Sequence, residues 1–188
     1  MDALYIILGI LILIAVYMVY SYNRLIAMRN RVDTAYSNID TLLQKRFDLV
    51  PNLVSTVKGY MKHERELLEA VTRARSEWMN ASTIQENAGA DNVASKALKS
   101  IFAVAENYPD LKANKNFLLL QEELVGIENK IAYARQRYNR TVLDLNNTVQ
   151  QFPTNLIAQF FRFQNREFFE VESEQAREVP QVKYGGED

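Results

Sequence analysis

The sequence predicts an all-α protein: one N-terminal transmembrane helix followed by four antiparallel helices around a single core. Three observations carry that reading. Gly (6) and Pro (4) are scarce over 188 residues, whereas all-β folds need many turns. One run near the N-terminus is long, apolar and free of charge. The remaining apolar residues recur at steps of three and four, and no segment alternates with period two for long enough to read as a strand.

The apolar run covers residues 4–20, LYIILGILILIAVYMVY, and Tyr22 extends it. About 20 apolar residues cross a bilayer core as a helix. Tyr5 lies near one end and Tyr17, Tyr20 and Tyr22 near the other, where interfacial aromatic residues belong. A cleaved signal peptide would need a basic leading region and a small-residue cleavage site, and only Met1, Asp2 and Ala3 precede the run. A buried core helix is rarely apolar on every face. Residues 4–22 are therefore expected to be a retained span. Arg24, Arg29 and Arg31 follow it and no Lys or Arg precedes it. The positive-inside rule then places the body in the cytoplasm and the N-terminus outside the inner (plasma) membrane, with the opposite topology as the alternative.

The body is expected over residues 23–150. Leu25, Met28, Val32, Ala35, Ile39 and Leu42 form a helix stripe that continues straight out of the span. Pro51 predicts a break, because the residue before a proline is biased away from helix. A second stripe runs through Leu53, Val57, Tyr60, Leu67, Val71, Ala74 and Trp78. Residues 80–91 are small and polar and read as a loop. Asp91 or Asn92 is the expected cap of a third helix over 92–107, which holds Val93, Leu98, Ile101, Phe102 and Ala105. Tyr108-Pro109-Asp110 ends it. Asn114 is the expected cap of the fourth helix, whose stripe includes Phe117, Leu124, Ile127, Ile131, Tyr138, Val142 and Leu145. A long coiled coil fits such stripes too, but unequal helix lengths and short connections favour a folded-back bundle.

The segment 151–169 is aromatic-rich, and residues 170–188 turn acidic and read as an extended tail. If the four helices leave and return in turn, residue 150 is close to the membrane again. Leu156, Ile157, Phe160, Phe161 and Phe163 are the expected partner or oligomer contact, since the Phe cluster is too dense for one side of a short helix. The alternative is that these Phe residues close the open end of the bundle.

Chemistry is sparse. There is no Cys, which removes disulfides, thiolate metal sites and cysteine nucleophiles. A single histidine, His63, rules out two-histidine metal sites. No phosphate-binding glycine loop or nucleophile elbow is present. Glu122 and Glu123 lie on a bundle helix and read as a solvated face. Arg135, Arg137 and Arg140 scatter around the fourth helix and read as ordinary surface pairing. A net charge of −1 argues against a nucleic-acid surface. No catalytic residue, cofactor, metal or small-molecule substrate is expected.

Several long blocks carry a resemblance: YNRLIAMRNRVDTAYSNIDTLLQKRFDLVPNLVSTVKGYMKHE, then YPDLKANKNFLLLQEELVGIENKIAYARQRYNRTV, then FPTNLIAQFFRF, then FFEVESEQAREVPQVKY. In this order behind an N-terminal span, the chain resembles the bacterial LemA family over essentially its whole length. Two departures stand out. Family members commonly have Phe-Gly-Phe where this chain has Phe161-Arg162-Phe163, and Val-x-Phe where it has Val182-Lys183-Tyr184. The resemblance implies an up-and-down four-helix bundle behind a single anchor and supplies no catalytic residues. It also implies a context of membrane organelles or neighbouring membrane proteases.

The function expected is a non-enzymatic, membrane-anchored scaffold that contacts lipid and self-associates to organise a membrane patch or recruit partners. The alternative is an accessory or regulatory subunit of a membrane enzyme such as a protease, with a membrane protein as its partner.

Overall fold

In the computed structural model, which describes residues 2–61 and 63–169, every regular element among the described residues is a helix. The tail expected over 170–188 lies outside the described residues. The elements are α1 (Asp2–Lys58), α2 (Arg65–Asn80), α3 (Ile84–Ala105), the short α4 (Pro109–Lys112), α5 (Lys115–Gln150) and α6 (Thr154–Phe160).

The break expected at Pro51 is absent: the apolar run and everything to Lys58 form one helix of 57 residues. A proline inside a helix removes one N–H and orphans the carbonyl four residues earlier, at a cost of ~3 kcal/mol or more. That carbonyl belongs to Phe47, and Arg75 Nε of α2 donates to it at 3.1 Å. Val50, Leu53 and Val57 around the proline are all buried. Each contributes about 1.5–3 kcal/mol of burial, which together outweigh the proline penalty. The chain turns instead at Gly59 and Tyr60, and Met61 is buried just beyond.

The loop expected over 80–91 shrinks to the few residues before Ile84. Asp91 and Asn92 lie inside α3 and cap nothing. The cap is Thr83, whose side chain accepts from Glu86 N while the Glu86 carboxylate accepts from Thr83 N, at 3.1 and 3.0 Å. Ser82 N donates to the same carboxylate at 2.7 Å, and that bond, with the one from Thr83 N, holds the Glu86 carboxyl below its ordinary pKa. The first half of α3 lacks an apolar stripe because alanines do the burying: Ala88, Ala90, Ala94 and Ala97 are all inside. Val93, expected in the core, faces outward. α5 begins as expected, with Asn114 Oδ1 accepting from Asn116 N and Phe117 N.

α1 packs along α5, and α2 pairs with α3. From Ser21 onward α1 buries Leu25, Val32, Ile39, Leu43, Phe47 and Val50 in the core. α5 answers with Leu124, Ile127, Ile131, Tyr138, Val142 and Leu145. The α2–α3 pair is tied to the far half of α1, where Trp78 stacks on Phe47 at 5.0 Å. The 36 residues of α5 span about 54 Å at 1.5 Å per residue, nearly the ~57 Å of residues 21–58. That match carries the chain back beside the end of the apolar run, where α6 packs against both α1 and α5.

Candidate functional site: the end of the apolar run and the C-terminal strap

No side chain in residues 4–20 is buried, so this stretch of α1 shows apolar surface on every face. It is long and apolar enough to cross a membrane. α6 docks at its end, with the Tyr17 and Thr154 hydroxyls 3.3 Å apart. α6 turns Ile157 and Ala158 inward and leaves Leu156 58% and Phe160 76% exposed. Phe161 lies against Tyr22, ring centroids 4.6 Å apart. Phe163 meets the same ring edge-on at 6.0 Å and carries the Arg29 guanidinium 5.8 Å from its own ring.

The five expected contact residues therefore divide. Leu156 and Phe160 face outward, and Phe161 is partly exposed on Tyr22. Ile157 is packed in the core and Phe163 is half-buried, so neither presents the open surface expected of it. The physical reason is the length of α6. A helix of two turns that lies against α1 and α5 must spend one side on them.

After α6 the chain runs on as an extended strap over residues 163–169, held by side chains that pair with its backbone. Arg166 N donates to Asn146 Oδ1 at 2.8 Å, and Asn146 Nδ2 donates back to Arg166 O at 2.9 Å. Phe169 N and O make the same pair of bonds with Asn139, at 2.8 and 3.1 Å. Between them, Tyr138 Oη donates to Glu167 O at 2.8 Å. The register is geometric. Seven residues of helix rise about 10.5 Å, and three residues of extended chain cover about 10 Å. Burial pushes the Tyr138 phenol up to about 12.

The strap ends on a buried ionic centre. Arg46 of α1 and Asp91 of α3 are fully buried and form an ion pair, and Arg135 of α5 pairs with the same carboxylate. Arg46 also donates to Glu128 at 2.5 Å and to Ser95 Oγ at 3.0 Å. Burial pushes the Arg46 pKa down, and the Glu128 carboxylate opposes that shift. Phe169, 1% exposed, covers the edge of the centre with the Arg135 guanidinium 4.9 Å from its ring. Two cations face two anions, so the centre is electrically closed. Among the described residues, no group of three or more His, Asp or Glu stands close enough to hold a metal ion.

Arg135 thus corrects the surface-pairing expectation: it spans α5 and α3 from within. The sequence held a signal for Arg46, because the spacing Ile39, Leu43, Arg46, Val50, Leu53 puts it on the core stripe of α1. Nothing in the pattern singled out Asn139 or Asn146, because they read backbone and not side chains.

The model of the LemA family matches residues 35–184. The chain is also 29% identical to protein LemA of Metamycoplasma hominis, over 85% of this chain and 71% of that protein. Magnetosome protein MamQ 2 of Paramagnetospirillum magneticum is 23% identical over 79% of this chain. Magnetosome protein MamQ of Magnetospirillum gryphiswaldense is 22% identical over the same share. The chain spans 64% of the length of each magnetosome relative, under two thirds.

Proposed function

The chain belongs to the LemA family, and from that premise we propose that it is a non-enzymatic scaffold anchored once in the inner membrane. In this reading residues 4–22 span the bilayer. The later part of α1 with α2, α3 and α5 forms an up-and-down four-helix bundle, and the body lies in the cytoplasm. The basic residues Arg24, Arg29 and Arg31 after the span support that orientation.

The observation that carries the proposal is the exposed apolar pair on α6. Leu156 and Phe160 stand outward beside the end of the span. At that depth an exposed Phe meets lipid or the same surface of a second copy, and burying it is favourable in either case. Self-association through this pair would array the bodies on a membrane patch.

The test is the size of the particle extracted in mild detergent, measured by native mass spectrometry. A symmetric homo-oligomer that shrinks in L156S/F160S, with the helical signal of the body unchanged, supports the scaffold. A stoichiometric complex with a different membrane protein would replace it with the accessory-subunit reading.

A further inference from the structure

Beside the end of the apolar run the structure holds a cavity of about 370 Å3. Its walls include Tyr22 and Arg29 of α1, Phe161 and Phe163 beyond α6, and the cations Arg162 and Arg166. Three arginines thus line one small space. A single described carboxylate answers them: Asp33, which pairs with Arg166 at 3.1 Å. Among the described residues, Arg29 and Arg162 carry no ion pair, and the Arg29 guanidinium rests on the Phe163 ring.

Arg162 is held at φ 57, the left-handed region. A side chain with a Cβ is strained there, and glycine is not. Keeping an arginine in a conformation that disfavours it points to a use for its charge.

From this geometry we infer that the cavity binds a phosphoryl anion, presented by the headgroup of an anionic phospholipid. Guanidinium forks match phosphate oxygens in geometry and form charge-assisted hydrogen bonds with them. The aromatic rings of Tyr22, Phe161 and Phe163 offer an apolar flank to the glycerol and upper chain of a lipid. Depth agrees as well. Arg29 follows Tyr20 by about 13 Å of helix, and helical side chains lean toward the N-terminus, here toward the membrane. Headgroups extend roughly 5–7 Å beyond the hydrocarbon on each side, within the span of such a side chain. The inference rests on the proposed reading of residues 4–22 as a span.

The experiment uses the full chain in nanodiscs made from phosphatidylcholine alone or mixed with phosphatidylglycerol. Lipid that co-isolates after exchange into detergent is counted by native mass spectrometry. The expected result is one retained phosphatidylglycerol per chain, with occupancy reduced roughly tenfold or more in R29Q/R162Q. R24Q lies nearer the span but does not line the cavity, and it is expected to retain the lipid. R162G separates binding from folding: it relieves the strained φ and raises the unfolding midpoint, yet loses lipid.

Inorganic phosphate forms the second arm. If it raises the unfolding midpoint of the wild type but not of R29Q/R162Q, while phosphatidylglycerol is not retained, the headgroup source is overturned in favour of a soluble phosphate. Equal loss in R24Q and R29Q/R162Q would reduce the effect to general surface charge and overturn the site. Retention of phosphatidylglycerol by R29Q/R162Q overturns it too. Failure of the chain to enter nanodiscs at all would instead overturn the span, and with it the premise.

Discussion

The two parts of α1 have the same backbone and opposite surfaces. Over residues 4–20 the helix is apolar on every side and buries none of it. From Leu25 to Val57 it buries one stripe, Arg46 included, and leaves its other charged residues outside. A helix that packs on protein needs one apolar face, and one that sits in lipid needs them all. Packing of the rest of the chain on this helix begins between Tyr17 and Arg29. There the aromatic rings of Tyr22, Phe161 and Phe163, the outward Leu156 and Phe160, and the arginine-lined cavity all gather. The distinctive surface chemistry of the described residues is concentrated where that packing begins.

Substitutions that break the packed part are expected to have the largest effects. Asp91→Ala leaves Arg46 buried with one of its two carboxylate partners gone, which costs about 3–5 kcal/mol. Urea unfolding of the body, followed by circular dichroism, checks this, and a loss under 1 kcal/mol would mean that the centre relaxes around water. Leu124→Ala removes a fully packed core side chain and is expected to cost on the order of 2–5 kcal/mol in the same assay.

The same kind of truncation in the other part sharpens the comparison. Leu11→Ala opens no cavity, because Leu11 packs on nothing, and is expected to leave body stability within about 0.5 kcal/mol. Leu11→Arg is expected to disfavour membrane insertion by about 2.5–3.5 kcal/mol, read as the fraction resistant to alkaline extraction. An insertion penalty near zero would deny that the run meets lipid.

Smaller effects belong to the strap. Asn146→Ala deletes both bonds to Arg166 and is expected to cost about 1–2 kcal/mol, seen first as faster hydrogen exchange of the residue 166 amide. The smallest effect is alkaline. The Tyr138 pKa is raised in the folded state to about 12 from an ordinary 10.0. Its contribution is complete below pH 10 and is lost as pH rises toward 12. Tyr138→Phe is expected to flatten that loss in a pH series of unfolding midpoints.

What the sequence disclosed follows the same division. α5 was legible because Phe117, Leu124, Ile131, Tyr138 and Val142 keep strict helical spacing with its cap at Asn114. The return of the chain to the end of the apolar run was legible from helix lengths, although the break assumed at Pro51 was wrong and the loop assumed over 80–91 was too long. Pro51 misled because the donor that replaces its missing hydrogen bond, Arg75, is remote in sequence. The start of α3 misled because small and polar residues, Ala88, Ala94, Asn87 and Asp91, fill its buried side. The Thr83–Glu86 capping pair stood in the sequence and outweighed that absence of pattern. The strap was invisible, since Asn139 and Asn146 bind backbone that any residues would supply.

The central claim is that the C-terminal segment returns to the membrane surface at α6. The chain has no Cys, so F160C and V93C each accept a single fluorescent label, and lipids with a quencher near the headgroup report depth in nanodiscs. Phe160 stands beside the end of the apolar run, and Val93 is exposed on α3 away from it. The account predicts strong quenching at residue 160 and little at residue 93. Equal quenching at both positions, or none at 160, would contradict it.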